Sequence, residues 1–488
     1  MDVHGRHRGL AAAAVLSALA LLASACGASP SVIRAVEARD RNGVANGVQS
    51  SASGPDSGQL GQSQADAGAA GASAAGSAGG AAGGAGGAAA AARRSGSSGA
   101  LAGTAGQVAA GACGAAAPAG GNGGATDTGV SGDTIKVGGT FFNGNYLDKY
   151  SQVTEQAVKA YFQYTNDQGG ICGRKVQFIP CDTAGTADGT KGCLSKLADQ
   201  DQVFTMGPSL DFNLNIVQPT LAADKLPWVG DSGLYGEEFS SPWMFPTQLN
   251  GTDVGALIAT FAGQTLHAHK AGISLLNDVA GPGCTKRAQE AAKALGYDAS
   301  TTASNGQVET SLDNQVSTLK NAGVDTVLFC NDPVNTIKFI QSAQRANWRP
   351  NFVGGFVAAD DVPQAAGSYA VGMYGFTSFD FYKSNTPGIE QYRAITENYY
   401  PNTFHHFYEQ AAYIGAEAVV AALRKAGPKL TRAGFLAALK SFTDFDTGMG
   451  LHINFADIGS SQLSSGLMLK ADNNLNWQVL TGRFKSAA

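Results

Sequence analysis

The sequence predicts an α/β protein with two parallel-sheet lobes behind a long N-terminal extension, on three observations. Strand-like apolar runs alternate with helix-length amphipathic segments from Thr134 to Phe356, the pattern of βαβ units. From Asp127 onward 362 residues remain, more than one core serves, since single cores stop growing near roughly 250–300 residues. Ahead of them, 41 of the 50 residues at 61–110 are Gly, Ala or Ser. That stretch has no large side chains to offset the entropy of ordering it.

The first 25 residues read as a secretory signal. Arg6 and Arg8 supply positive charge, and 10–23 is apolar except for Ser17. Such a run is shorter than the roughly 20 residues a spanning helix needs. It ends in Leu22-Ala23-Ser24-Ala25-Cys26, which resembles a bacterial lipobox, with Cys26 as the lipidated residue. Ordinary cleavage at Ala-Ser-Ala with Cys26 incidental is the alternative. Residues 26–126 then read as a disordered Gly/Ala/Ser tether, whose reach as a flexible coil is about 50–60 Å. The G-x-G-x-x-G matches inside it lack the strand before and helix after that a dinucleotide loop requires.

The globular part starts with a strand at 134–141, then a helix at 152–166 with Val153, Ala157, Val158, Ala160, Tyr161 and Tyr164 at helical spacing;. Strands follow at 176–179, 203–206 and 226–229, with helices at 192–198 and 213–223 between them. The pattern repeats as helix 251–266, strand 271–276, helix 285–295, strand 325–330, helix 335–346 and strand 351–356. Helices at 408–425 and 435–439 precede short β segments at 451–455, 465–469 and 477–480. A chain that closes on strands completes an earlier lobe.

Without Cys26, six cysteines remain, which allow 15 pairings, so sequence leaves connectivity open;. Cys181 and Cys193 are local candidates. Cys284 and Cys330 each follow strand-like runs that a parallel sheet would bring together. Cys113 and Cys172 are then left as a third pair. Zinc is disfavoured because no C-x-x-C spacing occurs;.

Ligands of open parallel sheets bind at the carboxyl ends of strands. Those ends carry Ser209 and Asp211, Ser232 and Gly233, Asp278, Asn331 and Asp332, and Phe356. They are rich in hydrogen-bonding groups, although Asp, Ser and Asn in such loops also cap helices. Enzyme signatures fail. Leu234 replaces the last Gly of G-x-S-x-G, and Lys286 stands where a dinucleotide loop needs its third Gly;. His267 and His269 do not share a helix face, and His405 and His406 have no acid at ligand spacing. The chain carries a formal charge of −5, with no basic cluster to follow a phosphate backbone, so nucleic acid is excluded as a partner.

The segment Asn166-Asp-Gln-Gly-Gly-Ile-Cys-Gly-Arg-Lys-Val resembles a signature of type I periplasmic binding proteins, the Leu/Ile/Val-binding family of ABC importers. Val130-Ser-Gly-Asp-Thr-Ile-Lys-Val-Gly, Asp201-Gln-Val-Phe-Thr-Met-Gly-Pro and Tyr408-Glu-Gln-Ala-Ala-Tyr-Ile-Gly-Ala extend the match along 130–488. Cys181-Asp182 with Cys193 resembles a pair of actinobacterial members. The resemblance implies two lobes, about 130–247 with 376–446 and about 248–375 with 447–488. Three hinge crossovers would lie near 245–251, 372–379 and 445–450. It assigns Ser209, Ser232 and Gly233 to a ligand carboxylate. Where amino-acid binders carry an acid for the ligand ammonium, Phe356 stands, and Asp332, Asp360 or Asp361 are the substitutes. Phe356, Phe212 and Tyr146 favour a ligand with an apolar or aromatic part.

The implied protein is a monomeric lipoprotein on the outer face of the cell membrane. It takes no cofactor or metal, performs no catalysis, and hands a small polar organic ligand to ABC permease subunits. Amino acids, amides, urea-like molecules and aromatic acids are the ligand classes in view. A membrane-receptor sensor of the same fold is the alternative, with a secreted α/β hydrolase or oxidoreductase behind it.

Overall fold

The computed structural model describes residues 113–230, 236–278, 280–458 and 465–487. The signal segment, Cys26, most of the tether, Ser232 and Gly233 lie outside them. Five strands form the first sheet: β1 (Thr134–Phe141), β2 (Lys175–Asp182), β3 (Thr205–Met206), β4 (Trp228–Val229) and β5 (Met244–Phe245). Their order is β2-β1-β3-β4-β5 and every pairing is parallel. The sequence folds this way because β1 buries Ile135 and Val137, while helices cover the sheet. Helix α1 (Asp148–Asp167) turns Val153, Ala157, Val158, Ala160 and Tyr161 inward. It stops where Gly169 and Gly170 take φ of 103° and 85°. A Cβ on Gly170 would meet the Arg174 carbonyl oxygen at 2.0 Å, so only glycine makes this turn.

Arg174 ties the first lobe together. Its side chain is 1% exposed. It donates to the carbonyls of Ser131 (2.7 Å), Pro428 (3.0 Å), Asn122 and Gly124 (2.5 and 2.9 Å). The expected tether therefore ends earlier than residue 126. Residues 113–126 pack on the first lobe, held by a Cys113–Cys172 disulfide, by Arg174, and by Cys172 and Gly173 amides on the Gly114 and Ala115 carbonyls. Composition hid this, because the anchors are partners supplied by distant residues.

The second sheet holds β6 (Lys270–Leu276), β7 (Asp298–Asn305), β8 (Thr326–Cys330), β9 (Asn351–Gly354) and β10 (Tyr374–Thr377) in parallel. Strands β13 (Ser465–Ala471), β14 (Trp477–Val479) and β15 (Phe484–Lys485) add antiparallel to that edge. This sheet is therefore mixed, with the C-terminal strands completing the lobe. Its parallel part runs β7-β6-β8-β9-β10, the same relative order as the first sheet. Helix α2 (Ala187–Ser195) and α3 (Gln218–Asp224) belong to the first sheet's crossovers. Those of the second are α4 (Gly251–Gln264), α5 (Ala280–Ala294), α6 (Asp313–Asn321), α7 (Pro333–Arg345) and the short α8 (Asp361–Ala366). Helices α9 (Pro387–Tyr399) and α10 (Phe407–Ala426) pack against α1, and α11 (Arg432–Lys440) against α10.

The chain thus passes between sheets after β5, after β10 and after α11. The last passage runs through a two-stranded ribbon, β11 (Phe445–Asp446) with β12 (His452–Ile453). The second and third passages touch. The Asp380 amide donates to the Met449 carbonyl at 2.8 Å, and Gln410 Nε2 to the Asp380 carbonyl at 3.0 Å.

Candidate functional site

In a β2-β1-β3-β4-β5 sheet the strand order reverses between the first and third strands, and the crevice opens outside their carboxyl ends. Here that point falls between β1 and β3 in one lobe and between β6 and β8 in the other. Asp278 follows β6. Its Oδ1 accepts from the Ala280 and Gly281 amides at 3.0 and 2.9 Å, starting α5. Asp332 follows β8 and caps α7, accepting from the Asn335 amide (2.9 Å) and side chain (2.6 Å). From the first lobe, Phe212 leaves the β3 loop with its ring 4.6 Å from that of Phe142.

These groups line a small, half-open cavity of about 30 Å³ together with Leu276, Phe356 and Tyr408. Phe356 is 9% exposed and also borders a second, smaller cavity of about 10 Å³ beside Leu249, Phe376 and Phe407. Tyr146 stands at the rim, its hydroxyl donating to Asp332 Oδ2 at 3.4 Å. Among the described residues that line the cavity, none is Lys, Arg or His. Burial pushes the Asp278 and Asp332 carboxyls up from their ordinary range, against the amides that donate to them. Burial and the same two carboxylates push the Tyr146 and Tyr408 phenols up as well. The cavity is negative wherever both acids are ionised.

Phe212, Asp278, Asn331, Asp332 and Phe356 thus come together, with Tyr146 beside them. Asn331 works inward: its amide donates to Ser274 Oγ (3.2 Å) and Asn305 Oδ1 (2.6 Å). Ser209 departs from its expected role. Its hydroxyl donates to the Gly207 carbonyl and accepts from the Thr140 amide and Trp228 Nε1, so it braces the first sheet. Asp211 is fully buried and accepts from the Thr190 hydroxyl and the Asn213 amide. Asp360 and Asp361 also stand outside the cavity. Asp360 takes the Tyr382 hydroxyl (2.8 Å) and Lys383 (2.6 Å); Asp361 takes the Tyr150 hydroxyl (2.9 Å) and Lys149. Tyr408 was legible only as part of a helix motif, because the 3.6-residue period does not say what lies beyond a helix's first turn.

Three disulfides form: Cys113–Cys172, Cys181–Cys193 and Cys284–Cys330. The last joins α5 to the end of β8, directly behind the cavity wall. Among the described residues, no group of three or more His, Cys, Asp or Glu could hold a metal ion. No helix among them is long and apolar enough to cross a membrane.

Two α/β lobes whose switch points meet at one half-open cavity form a cleft-type architecture. The profile of the periplasmic binding protein family matches residues 134–462, and the chain belongs to that family. A fatty acid ABC transporter substrate-binding protein from Thermomonospora curvata shares the fold at 20% identity and a TM-score of 0.65, over 74% of this chain and 95% of that one. A branched chain amino acid ABC transporter from Thermus thermophilus with bound valine matches at 17% identity and a TM-score of 0.66, over 73% of this chain and 97% of that one. The Leu/Ile/Val-binding protein homolog 7 of Brucella abortus (strain 2308) is 28% identical over 120 residues, 23% of this chain. The chain spans only 30% of the length of that curated relative.

Proposed function

We propose that this chain is the solute-binding lipoprotein of an ABC importer. It captures a small organic molecule between its lobes and presents the closed form to permease subunits, as a monomer, without chemistry of its own. The observation that carries this reading is the cavity at the coincident switch points, walled by side chains of both lobes. Lipidation at Cys26 and the Gly-rich tether beyond it would hold the folded module near the membrane while letting it reach the permease. The transporter components among its structural relatives support the same role.

A thermal-shift screen of the mature chain tests it, using amino acids, amides, ureas, aromatic acids, fatty acids and amines. A ligand at 100 times its dissociation constant adds about 2.7 kcal/mol. For roughly 360 cooperative residues at about 2.1 cal/mol/K each, that raises the melting temperature by about 3–4 °C. No shift with any class would refute solute binding.

A further inference from the structure

We infer that the two lobes are held shut without ligand by a latch of their own, in which Asp360 and Asp361 of the second lobe grip Lys149, Tyr150, Tyr382 and Lys383 of the first. The inference goes beyond the solute-binding reading, and only its consequence for ligand entry rests on that reading. Asp361 accepts from the Tyr150 hydroxyl at 2.9 Å and pairs with Lys149, both on α1. Asp360 accepts from the Tyr382 hydroxyl at 2.8 Å and from Lys383 at 2.6 Å. Each acid thus takes one phenol and one ammonium from across the seam. Both ends of the latch are anchored in their own lobes. The Trp477 indole donates to the Ala359 carbonyl at 2.8 Å, tying the acid-bearing loop to the second sheet. Arg393 of α9 donates to the Tyr382 carbonyl at 2.9 Å. Backbone crosses the seam here too, where Ala359 bridges His406.

Two observations say that this closure needs no ligand. The cavity between the lobes is about 30 Å³. A water takes about 10–15 Å³ of such space, so about two waters fit, whereas pockets for small organic ligands run to roughly 300–1,000 Å³. None of the latch residues lines that cavity, so their contacts do not depend on what it holds. Exposed ion pairs alone contribute little, and both acids are about a quarter exposed. Here, however, each carboxylate also takes a hydroxyl from a fully buried tyrosine, and opening strips four donors from two acids at once. Burial and the nearby acids push both phenols up, so they remain donors. A solute enters only the unlatched fraction, which lowers its apparent affinity by that fraction. The latch is therefore an autoinhibitory contact.

Spin labels on Gln152→Cys and Val308→Cys, one exposed residue on the cleft side of each lobe, read the opening as a distance. The mature chain carries Cys26→Ser, so that only these two thiols take label, and no ligand is added. At low salt the parent should show mainly the short, closed distance. Asp360→Asn with Asp361→Asn should raise the ratio of open to closed at least ten-fold. Sodium chloride at about 1 M, where the Debye length falls to about 3 Å, should open the parent several-fold and the Asn variant little. Lys149→Asp alone should open the lobes, and adding Asp361→Lys should return the short distance, a rescue that mere destabilisation would not give. A parent already at the longer distance overturns the latch, as does an Asn variant with the parent's distribution or a reversed pair that fails to reclose. A thermal-shift screen in which no solute binds refutes the solute-binding reading and leaves the latch standing.

Discussion

Replacing Arg174 with Met keeps the length and apolar stem of the side chain and removes every donor. Four main-chain carbonyls, from Ser131, Asn122, Gly124 and Pro428, then lose their partner inside the first lobe. Hydrogen bonds to a charged group contribute about 1.5–3 kcal/mol each, so a simple sum would reach about 6–12 kcal/mol. That sum overstates the loss, since water reaches some carbonyls and the sum rivals a whole domain's stability of about 5–15 kcal/mol. Stripping one partner from a buried charged network costs about 3–5 kcal/mol, and about 4 kcal/mol is expected here. With an unfolding entropy near 0.76 kcal/mol/K for roughly 360 residues, the melting temperature should fall by about 5 °C. Differential scanning calorimetry reads this directly. Arg174→Lys, with one compact charge, cannot reach four carbonyls and should recover only part of the loss. Limited proteolysis should also open residues 113–131 first in the Met variant. A Met variant melting within about 1 °C of the parent would refute the reasoning, whatever the size of its other effects.

Other expectations follow from the same geometry. Serine at both Cys284 and Cys330, which close a 46-residue separation, should cost about 4 kcal/mol, against about 3 kcal/mol for Cys181 with Cys193 across 12, as read from denaturant midpoints;. Glu409 follows His405 by four residues, an acid at helical spacing that the sequence reading of this pair overlooked. Burial opposes the charged form of His405, but Glu409 at 3.1 Å and Glu397 at 3.3 Å outweigh it, so the imidazole keeps its proton above its ordinary range. The stability this adds is complete below about pH 6.5 and is lost as pH rises through the raised folded value. The parent's melting temperature should fall above that pH, and His405→Gln should abolish this part of the decline. A Cβ on Gly415 would sit 2.8 Å from the Gly230 Cα and 3.0 Å from Pro208 Cγ. Gly415→Val should therefore push α10 off the first sheet and cost about 1–3 kcal/mol in chemical denaturation.

Much of the fold was legible because its inner strands are apolar without interruption: β8 buries all five residues of Thr326–Cys330. Edges were less so. Strand β7 reads Asp-Ala-Ser-Thr-Thr-Ala-Ser-Asn and buries only Ala299, Ala303 and Asn305, a pattern too polar to register as a strand. Helix α9 was missed for a related reason. Its buried face is built partly of Gly388, Gln391, Tyr392 and Thr396, which carry little hydropathy. In the site, residue types at strand ends pointed to Asp278, Asp332 and Phe356, and these side chains line the cavity. The same logic misplaced Ser209, because nothing in a linear sequence says that Thr140 and Trp228 will use its hydroxyl.

The second lobe shows how much of a site's character is decided by subtraction. Asp278, Asp332, Asp360 and Asp361 look alike in the sequence, each following a strand and opening a helical segment. Asp361 is drawn across to Lys149 and Tyr150 of α1, and Asp360 to Lys383 and Tyr382. Their charge is spent at the seam between the lobes, beside the bridge that pairs Ala359 with His406. Asp332 shares in that seam through Tyr146 yet keeps its place in the cavity wall. Among the described residues, Asp278 bonds only the two amides that begin its own helix. The charge that remains toward the cavity is what the cations and hydroxyls of the first lobe have not taken. The arrangement links two properties usually treated apart. The contacts that bring the lobes together neutralise one pair of acids, and in doing so they leave the other pair to set the sign of the cavity they enclose.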